Sequence, residues 1–240
     1  MATIKYRAHR GNAFCAPENT MPAFESAWRE GFDTIETDPC FTKDRQIILL
    51  HDKSLNRTCR NADGTPIQEP LLIRDLTYDE ILAYDAGIAC GEAFRGTRVP
   101  RLQELLAWAQ DKDIILELDK KIATKEMDPL LELVAGYNAN VAFYAADMQR
   151  VQKILSRLPH AMINYDGETD DASLREVCHT VPTEQLLVTV YCCDWVSESR
   201  RATIENCMRI KKYTHLGIGL TDHPYRVYWA QRLGADLIEI

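Results

Sequence analysis

The 240-residue sequence predicts a (β/α)8 barrel, and three observations carry that expectation. Short apolar runs rich in branched residues recur along the chain, segments of helical character separate them, and no glycine-rich nucleotide turn breaks the alternation. The runs cover 3–8, 33–36, 113–118, 141–145, 161–165, 186–191, 215–220 and 236–240, which makes eight candidate strands. Strand and helix in steady alternation imply parallel pairing, and eight such units fit a closed barrel better than an open doubly wound sheet.

The elements follow in order. The first run ends at His9-Arg10-Gly11. A helix is expected over 20–29: it opens after Asn19 and Thr20, carries Pro22 in its first turn and stops at Gly31. A second strand leads to Glu36-Thr37-Asp38, and the apolar Ile47-Ile48-Leu49-Leu50 leads to His51-Asp52. The stretch from 53 to 101 does not alternate. It holds Pro66, Pro70, Pro100, Gly64, Gly87, Gly91 and Gly96 around one short helix opened by the capping box Thr77-x-x-Glu80, and it reads as a small lid-like insertion after the second strand. The third strand ends at Glu117 and Asp119. Another helix begins at Asp147, with Val151, Ile154, Leu155 and Leu158 at helical spacing. Near the end, Gly234-Ala235-Asp236-Leu237-Ile238-Glu239 echoes Gly31-Phe32-Asp33-Thr34-Ile35-Glu36, as repeated barrel units would.

Composition bounds the function. The length suits one barrel domain over 1–240, and 46% hydrophobic content can fill a large core. A formal charge of −8, with no Lys/Arg run longer than two residues as at Lys211-Lys212, argues against a nucleic-acid partner. No stretch reaches the roughly 20 apolar residues of a membrane helix, and residues 1–11 lack the apolar core of a secretory signal, so a cytoplasmic location is expected. The eight cysteines form no Cys-x-x-Cys spacing, which fits thiols in a reducing compartment rather than zinc ligands or a disulfide framework. Cys15 and Cys40 lie beside the candidate site and would make it sensitive to thiol reagents.

Two histidines, an arginine and spaced carboxylates within about fifty residues form the inventory of a metal-assisted phosphate site. In a barrel, chemistry sits at the carboxyl ends of the strands, and His9, Arg10, Glu36, Asp38, Glu117 and Asp119 all fall there. Glu36 and Asp38 are two apart, so on a strand they share a face and can reach one cation. Carboxylate oxygens select hard cations, Mg²⁺ or Ca²⁺, over zinc. Arg10 offers a fixed fork of donors for phosphate oxygens. Asn164, Tyr165, Asp166, Tyr191, Asp194, Trp195, Thr221 and Asp222 also fall near strand ends, where Tyr191 and Trp195 could wall a substrate site. His160, His179, His215 and His223 read as surface or element-end residues.

Four motifs in one order, His9-Arg10-Gly11, Pro17-Glu18-Asn19-Thr20, Glu36-Thr37-Asp38 and His51-Asp52, resemble those of the glycerophosphodiester phosphodiesterase family. The run Asp85-Ala86-Gly87, Phe94, Gly96, Val99-Pro100 and Leu102 looks like that family's insertion. The resemblance is close over the first half and rests on barrel architecture over the second. It implies a small-molecule glycerophosphodiester substrate, a divalent cation on Glu36, Asp38 and Glu117, and His9 and His51 as the general acid and base. An imidazole's ordinary pKa of about 6.5 suits proton transfer near neutrality.

The chain departs from the family pattern twice. Where the family has glutamate-x-lysine at the third strand, this chain has Glu117-Leu118-Asp119-Lys120-Lys121. Either the lysine is lost, or Lys120 or Lys121 supplies it, or Asp119 becomes a fourth metal carboxylate. The family also runs beyond its eighth strand, whereas this chain stops at Ile240, so the last helix is expected to be missing. A phospholipase D-like lyase of related barrel type and a non-catalytic phosphate-binding barrel are the alternative readings.

Overall fold

The computed structural model describes residues 4–221 and 223–240. Among them are ten strands: β1 (Lys5–Ala8), β2 (Thr34–Thr37), β3 (Pro39–Phe41), β4 (Ile47–Leu49), β5 (Ile115–Leu118), β6 (Asn140–Ala145), β7 (Met162–Tyr165), β8 (Leu186–Tyr191), β9 (His215–Gly219) and β10 (Leu237–Glu239). The helices are α1 (Met21–Arg29), α2 (Tyr78–Ile81), α3 (Leu102–Ala109), α4 (Asp128–Ala135), α5 (Met148–Arg157), α6 (Asp171–Thr180), α7 (Ile204–Lys211) and α8 (Pro224–Arg232). Eight strands close into a barrel in the order β1, β10, β9, β8, β7, β6, β5, β2. The fold class expected from the alternation is the one observed. No helix among the described residues is long and apolar enough to cross a membrane.

All eight candidate strands correspond to barrel strands, with ends shifted by a residue or two. An antiparallel hairpin of β3 and β4, not among the eight expected strands, pairs Pro39 with Leu49 and Phe41 with Ile47. Its two strands are three residues each, too short for alternation to show. The hairpin has a functional consequence, because Leu50 N–H donates to the Asp38 carbonyl at 3.0 Å and so holds the chain entering His51 against the strand end at Asp38.

The polypeptide divides into two compact units. The unit Ala8–Asn140 packs Phe24, Ala27, Ile35, Leu105, Leu106, Leu116 and Leu118 fully out of solvent. Helix α1 starts as expected with Pro22 in its first turn, but the Thr20 hydroxyl donates to the Pro17 carbonyl at 2.5 Å rather than capping the helix. The other unit, Val141–Ile240 with the residues before Ala8, buries Phe143, Val151, Ile154, Val188, Val190, Leu216 and Ile218. Its interior also holds Arg7, which donates to Glu239 at 3.0 Å and lies 5.4 Å from the Tyr144 ring centre.

The sequence echo has a shared geometry. Gly31 and Gly234 both take left-handed backbone, φ 83° and 75°, the helix-ending conformation glycine adopts without strain. The residue after each bonds back five positions, Phe32 to Ala27 and Ala235 to Ala230, both at 3.1 Å.

Between β4 and α3 the chain builds a small core from Leu55, Cys59, Ile73, Tyr78, Ile81, Ala86 and Val99 against Ile48 and Leu50. The capping box forms as read: the Thr77 hydroxyl accepts from Glu80 N–H while Glu80 accepts from Thr77 N–H. Asp85 organises the far end by accepting from the amides of Gly87, Ile88 and Gly96 at 2.8, 2.9 and 2.7 Å. Burial pushes its carboxyl up, but these amides outweigh that and hold it below the ordinary carboxylate value. A depressed folded-state pKa gives stability that is present above the unfolded value near 4 and is lost as pH falls through the folded one. Asp85→Ala should therefore cost about 3 kcal/mol near neutrality, a gap that urea titration would show narrowing below pH ~4. A gap of constant size across that range would mean the charge is irrelevant.

Candidate active site

The ends of β1, β2 and β5, with the hairpin, bring the motif residues of the unit Ala8–Asn140 together. After β1 the backbone turns sharply, and Arg10, Gly11 and Asn19 all have positive φ (57°, 77° and 56°). A side chain at Gly11 would stand 2.9 Å from Ala23, which explains the glycine of His9-Arg10-Gly11. Left-handed backbone at two non-glycine residues is a strain that native structures concentrate at functional sites.

Arg10 is held at three points. Its amide donates to Glu36 Oε2 at 2.9 Å and its Nη1 to Glu18 Oε1 at 3.0 Å, while its Nε lies 3.5 Å from Asp38 Oδ2. Asn19 fixes Asp38 by donating Nδ2–H to Oδ2 at 2.8 Å, and its Oδ1 accepts from the Thr37 hydroxyl at 2.7 Å. Glu18 and Asn19 of the proline-glutamate-asparagine-threonine motif thus orient the arginine and a carboxylate, one each.

Three carboxylates converge. Oxygens of Glu36, Asp38 and Asp119 lie within 4.8 Å of one another, Glu36 and Asp38 being buried. Strand register explains it: Glu36 pairs with Glu117 across β2 and β5, and Asp119 N–H donates to the Thr37 carbonyl at 3.0 Å, which sets Asp119 beside Asp38. Glu117 is buried opposite Glu36 but is not a member of this group. All-oxygen donors of this charge suit a hard divalent cation. Lys121 Nζ comes to 3.5 Å from Asp38 Oδ1, so a lysine does reach the carboxylates, from two positions beyond the family's slot. Lys120 Nζ lies 4.0 Å from Asp119 Oδ1.

The histidines occupy different settings. His9 Nε2 stands 3.9 Å from Glu36 Oε2. His51 Nδ1 is 2.7 Å from Asp52 Oδ1, and Asp52 in turn takes Arg57 Nε at 2.6 Å. Hydrogen bonds from Arg57, aided by His51, hold the Asp52 carboxyl down to about 2. An ionised carboxylate only accepts, so His51 donates from Nδ1, which leaves Nε2 as the ring's unprotonated nitrogen when the imidazole is neutral. Neither Arg57 nor the roles of Glu18, Asn19 and Asp52 are legible in the sequence, whereas Lys121 is one of the two lysines expected there to supply the family's cation. An aspartate directly after a candidate catalytic histidine was a usable signal, but nothing in the sequence marks Arg57.

Trp195 belongs to the other unit, where it is 77% exposed on the segment after β8. In that unit Asn164 accepts from the Thr189 hydroxyl at 2.7 Å, and Asp166 accepts from Tyr191 at 3.1 Å and Arg200 at 3.0 Å. Thr221 donates to the Glu239 carbonyl, and Asp222 lies outside the described residues. His160, His179, His215 and His223 are exposed at or near element ends, as expected. There is no disulfide among the cysteines, all eight of which are thiols. Burial, and secondarily Asp38, pushes the Cys40 thiol up to about 12, so of the two cysteines beside the site the exposed Cys15 is the one open to reagents.

Fold and site together define a class of barrel in which strand ends gather carboxylates, a guanidinium and imidazoles suited to phosphate esters. The chain belongs to the glycerophosphoryl diester phosphodiesterase family, whose model it matches over residues 9–190. It is 40% identical over 114 residues to a glycerophosphodiester phosphodiesterase of Caldanaerobacter subterraneus subsp. tengcongensis, which is 48% of this chain and 44% of that protein. A glycerophosphodiester phosphodiesterase of Bacillus altitudinis is 41% identical over 102 residues, 42% of this chain and 38% of the relative. The chain thus spans less than half the length of these two curated relatives. Among solved structures, an Oleispira antarctica phosphodiesterase in complex with the product sn-glycerol-3-phosphate superposes with a TM-score of 0.79 at 18% identity, covering 98% of this chain and 92% of that one.

Proposed function

We propose that the chain is a metal-dependent phosphodiesterase that splits glycerophosphodiesters into glycerol 3-phosphate and an alcohol. The observation that carries this reading is the grouping of Glu36, Asp38 and Asp119 within 4.8 Å beside an arginine fixed by Glu18 and Glu36. These three residues, with Glu117 behind them, would hold Mg²⁺ or Ca²⁺. When bound, such a cation stabilises the charge that builds up on the phosphate oxygens.

The remaining chemistry belongs to the chain's own side chains. Arg10 binds phosphate oxygens with a fork already oriented before substrate arrives, and Lys121 adds a cation at the same carboxylates; Lys120 and Trp195 are further candidates for substrate contact. One of His9 and His51 removes a proton from the attacking hydroxyl, either a water or the glycerol 2-hydroxyl next to the phosphate. A new phosphorus–oxygen bond forms as the bond to the alcohol breaks, and the other histidine returns a proton to the departing alkoxide. Where the 2-hydroxyl attacks, the product of this step is a cyclic phosphate, and a water must then add to phosphorus and break its bond to the 2-oxygen, which regains its proton, to give glycerol 3-phosphate. The relatives named glycerophosphodiester phosphodiesterases and the product found in the Oleispira structure support glycerophosphodiesters as the substrate class. The eight thiols suit a reducing, cytoplasmic setting.

Incubating the protein with glycerophosphocholine and glycerophosphoinositol, with and without Mg²⁺ or Ca²⁺, tests the reading. Cation-dependent release of glycerol 3-phosphate is expected. A cyclic phosphate as sole product would favour a lyase, and phosphate binding without turnover would favour a non-catalytic barrel.

A further inference from the structure

Arg57 lies six residues past His51 in the insertion, outside every motif of the sequence reading. Its guanidinium spans two carboxylates. Nε and Nη2 donate to Asp52 at 2.6 and 3.1 Å, and Nη1 and Nη2 donate to Glu18 at 2.8 and 2.7 Å. Four of the five N–H groups of a planar fork are therefore committed, and both carboxylates are set relative to that one plane.

Each carboxylate has one further contact that matters. Asp52 Oδ1 is 2.7 Å from His51 Nδ1, and Glu18 Oε1 takes Arg10 Nη1 at 3.0 Å. The path from the acid–base histidine to the phosphate-binding arginine thus runs His51, Asp52, Arg57, Glu18, Arg10. Without the guanidinium, two carboxylates that now share Nη2 would repel each other, and each would release the group it orients. Electrostatics agrees with the geometry. Burial pushes the Glu18 carboxyl up, yet Arg57, and then Arg10, hold it below its ordinary value.

We propose that Arg57 is a positioning residue that sets His51 through Asp52 and Arg10 through Glu18, tying proton transfer and phosphate binding to one side chain. The proposal rests on the phosphodiesterase reading above. A purely structural role is a poor account of this geometry, because the Arg57 side chain is 47% exposed and exposed ion pairs contribute little to fold stability. Lysine, a point charge, cannot reproduce a fork across two carboxylates.

The test uses Arg57→Met and Arg57→Lys, with thermal melting as the control for folding. Arg57→Met should lower kcat for glycerophosphocholine by about 10²-fold, the size of effect that misplacing a catalytic group produces, and weaken glycerol 3-phosphate binding about 10-fold. Arg57→Lys should recover only part of either loss. The two branches separate in double variants. In an Asp52→Asn background Arg57→Met should cost kcat less than about threefold while still weakening glycerol 3-phosphate binding; in a Glu18→Gln background the pattern should reverse. Nitrogen-15 NMR of histidine supplies a readout without turnover, since His51 should lose its fixed Nδ1–H state in Arg57→Met.

Wild-type kcat and product affinity in Arg57→Met would overturn the proposal, as would a kcat loss that persists undiminished with Asp52→Asn. If Arg57→Met does not fold, full activity and affinity in Arg57→Lys overturn it instead. Should the wild-type protein hydrolyse no glycerophosphodiester, the functional reading falls, and the NMR and phosphate-binding arms decide Arg57 separately: an unchanged His51 tautomer and unchanged phosphate affinity in the variant would reject it.

Discussion

His51→Ala and His9→Ala should each lower turnover of glycerophosphocholine by about 10²- to 10⁴-fold, the range that positioned general acids and bases contribute. The two losses should combine far less than multiplicatively, because once either proton transfer fails the other has little left to assist. The settings also predict how the residues respond to loss of support. His51 draws its tautomer from Asp52 at 2.7 Å, so Asp52→Asn should cost activity too, an amide being able to hold the ring by its nitrogen in the wrong tautomer. His9 stands 3.9 Å from Glu36 and has no such dependence on Asp52. Steady-state rates on folded variants decide the matter, and an unchanged rate in either single variant would remove that histidine from the mechanism.

The parts of this fold that sequence made legible share a physical cause. Barrel strands and their helices are set by local hydrophobic periodicity and by residues that end elements, such as Pro22, Gly31 and Gly234, and those signals lie within a few positions of what they control. The carboxyl-end rule then converts strand ends into site candidates, Glu36, Asp38, Glu117 and Asp119 among them, of which Glu36, Asp38 and Asp119 bring oxygens within 4.8 Å of one another. What the sequence hides has no periodic signal to carry it. The hairpin of β3 and β4 is three residues a side, and the Arg57 bridge joins Glu18 to Asp52 across 39 and 5 residues, a separation no periodicity records. Lys121 fell between the two. Its neighbourhood was suspect because the family lysine slot holds Asp119, but only the chain direction after β5 decides that Lys121 approaches Asp38 at 3.5 Å.

Chelation of divalent cations should abolish activity, and Glu36→Gln or Asp38→Asn should remove most cation affinity, because each exchanges a charged oxygen for a neutral one in a site selecting hard ions. Asp119 makes the sharper test. Its oxygen stands with those of Glu36 and Asp38, and Lys121 already brings an ammonium to Asp38. If Asp119 is a cation ligand, Asp119→Asn should weaken Mg²⁺ or Ca²⁺ binding, read by calorimetry, more than Lys120→Ala does. Asp119→Lys, which restores the family residue, should then lower activity, since it deletes a ligand and sets a second cation against the metal. If Asp119 is a bystander, the restored lysine should instead raise activity by a phosphate contact, a charge-assisted hydrogen bond of about 1.5–3 kcal/mol. The geometry favours the first outcome: a lysine at 119 would place its ammonium among carboxylates whose charge Arg10 and Lys121 already offset. A gain of activity in Asp119→Lys at unchanged metal affinity would reverse that assignment and return the third ligand position to Glu117, which lies in register with Glu36 on the neighbouring strand.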